Sequence, residues 1–266
     1  MSVYPLEKPP APRGPLAGVG VIVTRPARQA ALFARQLAAL DATPIVFPAI
    51  VILPPANRAA LDAAHAALVQ YDIAIFVSAN AVEYGVPAPH VWPARLVTLA
   101  PGPGTAAALA ATGIVDSRFP ASTFDSDGLL EMPELGEVRG KRVVIFRGDG
   151  GRGQLGDALR QRGAEVTYVE CYRRAAPVTG AAGLSEALRD ARAHALTLTS
   201  NEGLDNLCML LAGADLRRLQ QLPAFVPHPR IAEHARHMGF APVATGAADS
   251  GLIAGLLEWF ARHPLT

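Results

Sequence analysis

The chain contains two copies of one sequence pattern, and this internal repeat constrains its fold more than any other feature. The segment that starts at Val21 aligns without a gap with the segment that starts at Val143, a shift of 122 positions. The same shift aligns Ser78 with Ser200. A third pair, LAPGPGTAAALAATG and FVPHPRIAEHARHMG, matches at a shift of 126. We therefore expect each half to carry at least three strand–turn–helix units.

The order of elements within each copy predicts the fold class. Short apolar runs alternate with longer segments of helical period, which indicates parallel strands joined by right-handed crossovers with helices on both faces. We therefore predict an α/β protein with two Rossmann- or flavodoxin-like domains, related by internal duplication and joined by a two-stranded β connector. The predicted parts are a flexible proline-rich leader at 1–17, a first domain at 18–43 plus 176–266, a second domain at 54–165, and connectors at 44–53 and 166–175.

Composition excludes several classes of protein. Half of the 266 residues are hydrophobic and 18% are charged, so the chain can bury a sizeable core. The net charge of +1 gives no field that favours nucleic acid or an anionic membrane. Cys171 and Cys208 have no metal-type spacing and are predicted to be ordinary thiols. The leader has no apolar core typical of a signal peptide. We predict a cytoplasmic protein that does not enter the membrane.

Known cofactor motifs are missing from the glycine-rich segments. PGPGT at 101–105 lacks the lysine of a nucleotide-binding P-loop, and RGDGGRG at 147–153 lacks dinucleotide-binding spacing. These loops instead offer backbone N–H groups beside helix starts, where anions bind. Arg25, Arg147 and Arg152 are candidate carboxylate clamps, although Arg152 also fits an arginine on a solvated helix face.

Other polar residues have two readings each. Ser78 and Ser200 end apolar runs, so each is a helix cap and also a candidate ligand-binding group. His228, His234 and His237 lie close in sequence, but no HExxH motif or nearby cysteine completes a metal site. We predict no metal, and we expect only His228, with Arg230, to reach a binding cleft.

Eight segments together carry a resemblance to a known family. They are VTRPARQA from Val23, FVSANAV ending at Val82, APGPGTAAAL from Ala100, SDGLL at 126–130, RGDGGR at 147–152, ECYRR at 170–174, TSNEGL from Thr199 and HPRIAEHA at 228–235. In this order they resemble bacterial uroporphyrinogen-III synthase, a family of lyases in tetrapyrrole, porphyrin and heme biosynthesis.

The resemblance implies an activity and a set of site residues. Such enzymes convert hydroxymethylbilane into uroporphyrinogen III without cofactor or metal: they release water, close the macrocycle and invert its last ring, in the cleft between the domains. The family's candidate proton donor matches Tyr172. The predicted substrate-binding residues are Arg25, Ser78, Ala79, Gly104, Thr105, Arg147, Gly148, Arg152, Ser200, His228 and Arg230.

The expected partner is the small-molecule substrate, a linear tetrapyrrole polycarboxylate. A transient contact with the preceding pathway enzyme is compatible with this reading, and the expected state is a monomer. Two alternatives stay open: a sensor module that binds a ligand without chemistry, and another enzyme on a duplicated flavodoxin-like frame, such as a nucleotide-sugar transferase. Tyr172 itself has a second reading, as a strand tyrosine that only packs its ring.

Overall fold

The fold is described from a computed structural model, which describes residues 14–87, 92–151 and 153–265. The chain divides into two compact units. The first contains the described residues up to Val51 together with those from Ala176 onward, and the second contains Ile52–Ala175. Most of the predicted leader, 1–13, lies outside the described residues. Its end does not, and Leu16 is fully buried, so folded chain begins before residue 18.

Strands and helices alternate along almost the whole chain. In order they are β1 (Gly20–Val23), α1 (Ala27–Ala38), β2 (Thr43–Val46), β3 (Val51–Leu53), α2 (Ala59–Ala66), β4 (Ile73–Phe76), α3 (Ala79–Gly85), β5 (Val97–Leu99), α4 (Pro103–Ala111), α5 (Ser126–Leu130), β6 (Arg142–Gly148), α6 (Gln154–Gln161), β7 (Glu165–Ala175), α7 (Ala182–Arg189), β8 (Ala195–Thr197), α8 (Asn201–Leu210), α9 (Gly213–Gln220), β9 (Pro223–Val226), α10 (Pro229–His237), β10 (Ala241–Ala244) and α11 (Ala248–Arg262).

Each unit is built on one five-stranded sheet. The strand order is β10-β9-β8-β1-β2 in the first unit and β3-β7-β6-β4-β5 in the second. All four strand pairs of the first sheet are parallel, as are the β7–β6, β6–β4 and β4–β5 pairs of the second. The predicted α/β class with parallel sheets is confirmed.

Both faces of each sheet are buried, because crossover helices cover both. In β4, Ala74 and Phe76 pack in one apolar cluster while Ile73 and Ile75 pack in another. Alternate residues of β1 likewise divide between two clusters of the first unit. This double burial explains why the strands read as continuous apolar runs, and it gives each unit cores of its own.

Strands that match in the repeat occupy matching places in the two sheets. The order β9-β8-β1-β2 in the first unit corresponds to β5-β4-β6-β7 in the second. Helix ends match as well: Asp41 and Gly163, which the repeat aligns, both have a left-handed backbone, with φ of 61° and 88°. Gly163 lies just after the end of α6, where a left-handed residue is common and glycine adopts it without a steric penalty.

The two predicted connector segments contain strands. The first, at 44–53, overlaps β2 in the first sheet and β3 at the edge of the second. The second, at 166–175, falls within β7, which pairs with β6 from Glu165 onward. The boundary between the units lies at Val51 and Ala175, near the ends of these segments.

Candidate functional site

The predicted site residues that the structure describes lie at or beyond the carboxyl ends of parallel strands. This is the edge of an open α/β sheet where ligands bind, because loops and helix N termini converge there. In the second unit, Ser78 follows β4, while Arg147 and Gly148 end β6. In the first unit, Ser200 precedes α8 and His228 precedes α10. Each unit therefore presents candidate site residues at one edge of its own sheet.

A pocket of about 600 Å³ at this edge of the second unit contains Tyr172. We call it the Tyr172 pocket. Its walls come from the segment before α2 and its first turn, from the loop after β6, and from the last part of β7; the lining residues are Pro55, Ala56, Asn57, Ala59, Ala60, Asp149, Glu170, Tyr172 and Arg173. Its size is within the range of small-molecule binding sites, about 300–1,000 Å³.

A bulge in β7 directs the Tyr172 side chain. Arg147 pairs with Glu170 but Gly148 pairs with Tyr172, so Cys171 is an extra residue in the ladder. Alternation along a regular strand would place Tyr172 with Tyr168, on the opposite face from Cys171. Instead, Cys171 and Tyr172 both pack in the cluster formed with α3 and α4, whereas Tyr168 packs on the other face.

The hydroxyl of Tyr172 meets the cap of a helix. Ser78 Oγ lies 3.3 Å from Tyr172 Oη and accepts the Ala81 N–H at 3.1 Å, which confirms the predicted capping role of Ser78. Nearby Tyr84 is engaged differently, since its hydroxyl donates to the Ile52 carbonyl at 3.1 Å. Burial, followed by the charge of Glu83, raises the pKa of Tyr84. Tyr172 is thus the tyrosine of this pair that lines the pocket.

Gly148 makes room for the Tyr172 ring. A Cβ atom at position 148 would lie 2.6 Å from both Cε2 and Cζ of Tyr172, far inside contact distance. The φ of Gly148 is not in the left-handed region, so the requirement is for space alone. Gly148 was predicted to bind substrate, and in the structure it packs against the ring of Tyr172.

The predicted clamp Arg147 is bound within its own unit. Its guanidinium donates to the Gly151 carbonyl at 2.9 Å, pairs with Glu170 at 3.2 Å and lies 4.0 Å above the ring of Tyr168. Tyr168 in turn donates to the Gly153 carbonyl at 2.7 Å. Arg147 therefore ties together the loop that follows β6, and it does not line the Tyr172 pocket.

The other predicted residues of the second unit lie near helix starts. Ala79 is the first residue of α3, and Gly104 and Thr105 lie in the first turn of α4. Gly104 has open space where a side chain would be, while Thr105 is 7% exposed. None of the three lines the Tyr172 pocket. Arg152 lies outside the described residues.

The first unit has a second pocket, of about 540 Å³, at the corresponding edge of its sheet. We call it the Ser200 pocket. The N termini of α8, α10 and α11 all contribute to its lining, which includes Ser200, Asn201, His228, Arg230 and Ala248. Backbone N–H groups at helix starts favour anions. The structure thus brings the predicted residues Ser200, His228 and Arg230 together.

Some polar groups of the Ser200 pocket have hydrogen-bond partners among the described residues and others do not. Ser200 Oγ accepts the Gly203 N–H at 3.1 Å, and His228 Nδ1 accepts the Arg230 N–H at 3.1 Å, so both cap helices. Asn201 Oδ1 is buried with no hydrogen-bond partner among the described residues. Arg25, predicted as a clamp, instead pairs with Asp249 and lies 4.7 Å above the Phe33 ring.

The remaining histidines and the thiols have local roles. His234 Nε2 lies 2.6 Å from an Asp205 carboxylate oxygen. Within the described ranges, no group of three or more histidine, cysteine, aspartate or glutamate residues could hold a metal.

Cys171 and Cys208 are free thiols, and burial raises the pKa of Cys171 to about 12. No helix in the described part of the chain is long and apolar enough to cross a membrane.

Three charged residues of the Tyr172 pocket were absent from the predicted site: Asp149, Glu170 and Arg173. All three lie in segments singled out by sequence, RGDGGR and ECYRR. Neighbouring residues of a regular strand, such as Tyr172 and Arg173, point to opposite faces of the sheet. Alternation therefore did not predict that both would line one pocket. The bulge at Cys171 changes the facing of this stretch, and no sequence signal marks it.

The family model and the similar proteins all carry the name of one enzyme family. The sequence model of the family described as uroporphyrinogen-III synthase HemD matches residues 31–254. Uroporphyrinogen-III synthase from Salmonella typhimurium is 32% identical over 251 residues, which cover 90% of this chain and all of the relative. The enzyme from Escherichia coli K12 is 33% identical over 247 residues, with the same coverage.

Solved structures show the same fold. A uroporphyrinogen-III synthetase from Helicobacter pylori aligns with a TM-score of 0.62 at 12% identity, over 91% of this chain and 99% of the other. A mutant uroporphyrinogen III synthase from Thermus thermophilus aligns with a TM-score of 0.57 at 21% identity, over 92% of this chain and 99% of the other. The family match spans far more than half of the sequence. The chain therefore belongs to the uroporphyrinogen-III synthase family.

Proposed function

We propose that this protein is a uroporphyrinogen-III synthase, which dehydrates and cyclises hydroxymethylbilane with inversion of its last ring. Full-length similarity to enzymes of that name supports the proposal. The observation that carries it is the Tyr172 pocket: a tyrosine at the carboxyl edge of a parallel sheet, in a space of about 600 Å³. No cofactor is required, because the reaction is a loss of water and a rearrangement of carbon–carbon bonds.

Tyr172 is proposed to act as general acid. Its proton goes to the hydroxyl of the hydroxymethyl group, which leaves as water as the pyrrole nitrogen supplies electrons. The tetrapyrrole releases one proton as the macrocycle closes, and this proton restores the phenol. If Ser78 donates its hydrogen to Tyr172 Oη across their 3.3 Å contact, the phenol hydrogen is free to reach the leaving oxygen. General acid catalysis of this kind contributes about 10²- to 10⁴-fold.

Holding the substrate is proposed to contribute more than proton transfer. Ring inversion requires the terminal pyrrole to react at its substituted carbon, and correct intramolecular placement can contribute about 7–11 kcal/mol. The substrate's acetate and propionate groups suit the helix N termini of the Ser200 pocket, where Arg230 is exposed. The further proposed substrate-binding residues are Ser78, Ala79, Gly104, Thr105, Gly148, Ser200 and His228.

The division of the chain supports two proposed domains that arose by duplication. The four matched strands have the same order in both sheets. The position aligned with Tyr172 at the shift of 122 is Ile50, a buried aliphatic residue. Only the second copy therefore carries a proton donor at this place, so we propose that the copies have diverged in role.

The activity is tested by supplying freshly generated hydroxymethylbilane to the purified protein and separating the oxidised products. Spontaneous closure gives the type I isomer, whereas the proposed enzyme gives type III. We expect predominantly type III porphyrin. Type I alone from folded protein would remove the proposal and leave the pocket with another ligand.

Tyr172→Phe tests the proton donor. We expect kcat to fall by about 10² or more with little change in KM, because the variant keeps the ring but lacks the acid. Tyr84→Phe is the matched control, since it also removes one tyrosine hydrogen bond, to the Ile52 carbonyl. The control should lose about 1 kcal/mol of stability and no activity. Wild-type turnover by Tyr172→Phe would exclude Tyr172 as the acid.

A further inference from the structure

The Tyr172 pocket contains an arginine, Arg173, that has no polar partner among the described residues. Arg173 follows Tyr172 on β7, is half-buried and lines the pocket. Its Nε atom is buried without a hydrogen-bond partner. Across the described residues, its guanidinium takes part in no hydrogen bond or ion pair. A buried charged donor without a partner is costly, so a position of this kind points to a ligand that completes it.

The acidic residues of the same pocket are already engaged. Glu170 accepts a hydrogen bond from Arg147 at 3.2 Å. Asp149 accepts the backbone N–H of Arg174 at 3.1 Å. Neither acid forms a salt bridge with Arg173, although all three residues line one pocket. Within the described residues, the positive charge of Arg173 is therefore not balanced by an ion pair.

Arg25 and Arg147, the arginines chosen from sequence, also have a buried Nε without a hydrogen-bond partner, but each has an ion pair within the described residues. Arg25 is paired with Asp249, and Arg147 with Glu170. To bind a substrate carboxylate, either would have to share or give up an internal partner. Arg173 would give up none, which distinguishes it from both.

We infer that Arg173 binds a carboxylate of the linear tetrapyrrole in the Tyr172 pocket. A guanidinium presents two parallel N–H donors that match the two oxygens of an acetate or propionate. Because Arg173 is adjacent to Tyr172, this contact fixes one pyrrole side chain near the proposed proton donor. The inference rests on the proposed function, and it names a substrate-binding residue of that site.

Arg173→Gln is the principal test, with steady-state kinetics of type III formation as the readout. We expect KM to rise at least about tenfold, because charge-assisted hydrogen bonds to the substrate are lost. The kcat should fall by less than about threefold, since the contact holds the substrate in both ground and transition states. Arg173→Lys keeps the charge but loses the paired donors, so its KM should lie between the KM of the wild type and that of Arg173→Gln.

Arg58→Gln is the matched control. Arg58 lies in sequence between pocket residues Asn57 and Ala59, but its side chain is 59% exposed and pairs with Asp62 on the surface. Its removal changes the net charge by the same amount near the same pocket. The KM of this variant should stay within about twofold of wild type, because exposed charges act weakly through solvent. An equal rise in KM for both variants would indicate a general charge effect and overturn the inference.

The outcomes separate this inference from the proposed function. If the wild-type protein forms only type I porphyrin, the proposed function fails. If it forms type III and Arg173→Gln keeps the wild-type KM, only the inference is overturned. Thermal unfolding establishes that each variant is folded. If Arg173→Gln does not fold, Arg173→Lys decides: a KM raised at least about threefold supports the contact, and an unchanged KM overturns it.

Discussion

Tyr172 and Gly148 depend on each other, because the tyrosine ring occupies the space where any other residue at 148 would have a side chain. The same region illustrates how burial sets the chemistry of single groups. Cys171 is fully buried and its pKa is raised to about 12, so its thiol is not a nucleophile at neutral pH. Its Sγ instead donates a weak hydrogen bond to the Arg147 carbonyl at 3.3 Å. Gly148 and Cys171 thus act by packing and positioning.

Gly148→Ala should displace the tyrosine. The added methyl group would meet the ring at 2.6 Å, so either the ring or the strand must move. We expect a loss of about 1–3 kcal/mol in the free energy of unfolding, typical of overpacking, and at least about a tenfold fall in kcat. Urea denaturation and the isomer assay measure the two effects.

Gly183→Ala is the control for this substitution. Gly183 lies in α7, and no atom lies within 4 Å of the position that its Cβ would occupy. Alanine there should leave activity unchanged and raise stability by up to about 1 kcal/mol, since glycine is the poorer helix former. Similar activity losses in both variants would show that the Tyr172 contact is not the cause.

At the scale of elements, the bulge in β7 determines which face of the sheet Tyr172 reaches. A regular strand would place Tyr172 on the face of Tyr168, away from Ser78. One extra residue, Cys171, changes this facing. The bulge occurs beside a predicted active site, as bulges often do.

Deletion of Cys171 tests the bulge. Without the extra residue, alternation from Val169 keeps Tyr172 opposite Gly148 on the same face, but β7 loses the added bend and twist that a bulge gives. We expect kcat for type III formation to fall at least about tenfold, because the Tyr172 hydroxyl is displaced from Ser78. Cys171→Ala keeps the residue count and should retain at least about a third of wild-type kcat, with about 1–2 kcal/mol lost in stability. Circular dichroism checks the fold of both. Wild-type turnover by the deletion variant would show that the bulge does not position the tyrosine.

On the scale of the whole molecule, each unit has its own sheet and its own apolar clusters. The second unit is continuous in sequence, whereas the first is formed by both ends of the chain. A continuous unit of this size has enough buried apolar surface to fold by itself.

A fragment of residues 51–175 should therefore fold alone. We expect one cooperative urea transition with a free energy of unfolding of several kcal/mol, because the fragment retains both clusters of its sheet. A matched fragment of 54–175 lacks β3, the neighbour of β7 at the sheet edge, and should be less stable. A fragment 51–175 without a cooperative transition would contradict the independence of this unit.

Much of the fold follows from patterns that act over short distances. The repeat and the apolar runs predicted the α/β class and the parallel sheets, because strands covered on both faces must be apolar throughout. Ser78 and Ser200 were predicted as caps and cap α3 and α8. Capping depends only on a side chain and an N–H group three residues later, so sequence spacing is enough to find it.

Sequence spacing could not predict which arginines form ion pairs with carboxylates of the same chain. Arg147 meets Glu170, 23 residues away, and Arg25 meets Asp249, 224 residues away. Sequence marks an arginine as charged but does not tell whether a carboxylate of the same chain already holds it. That distinction separates Arg173 from the other two, and it depends on contacts across the sheet.

The sequence by itself determined the class of fold, the equivalence of the two halves and the family, since these depend on periodicity and on motifs in a fixed order. The tertiary structure decided which face Tyr172 occupies and that Arg25 and Arg147, unlike Arg173, are in ion pairs among the described residues. The physical reason is that a bulge and an ion pair each depend on a neighbouring strand or helix. Those neighbours are brought close only when the sheet forms.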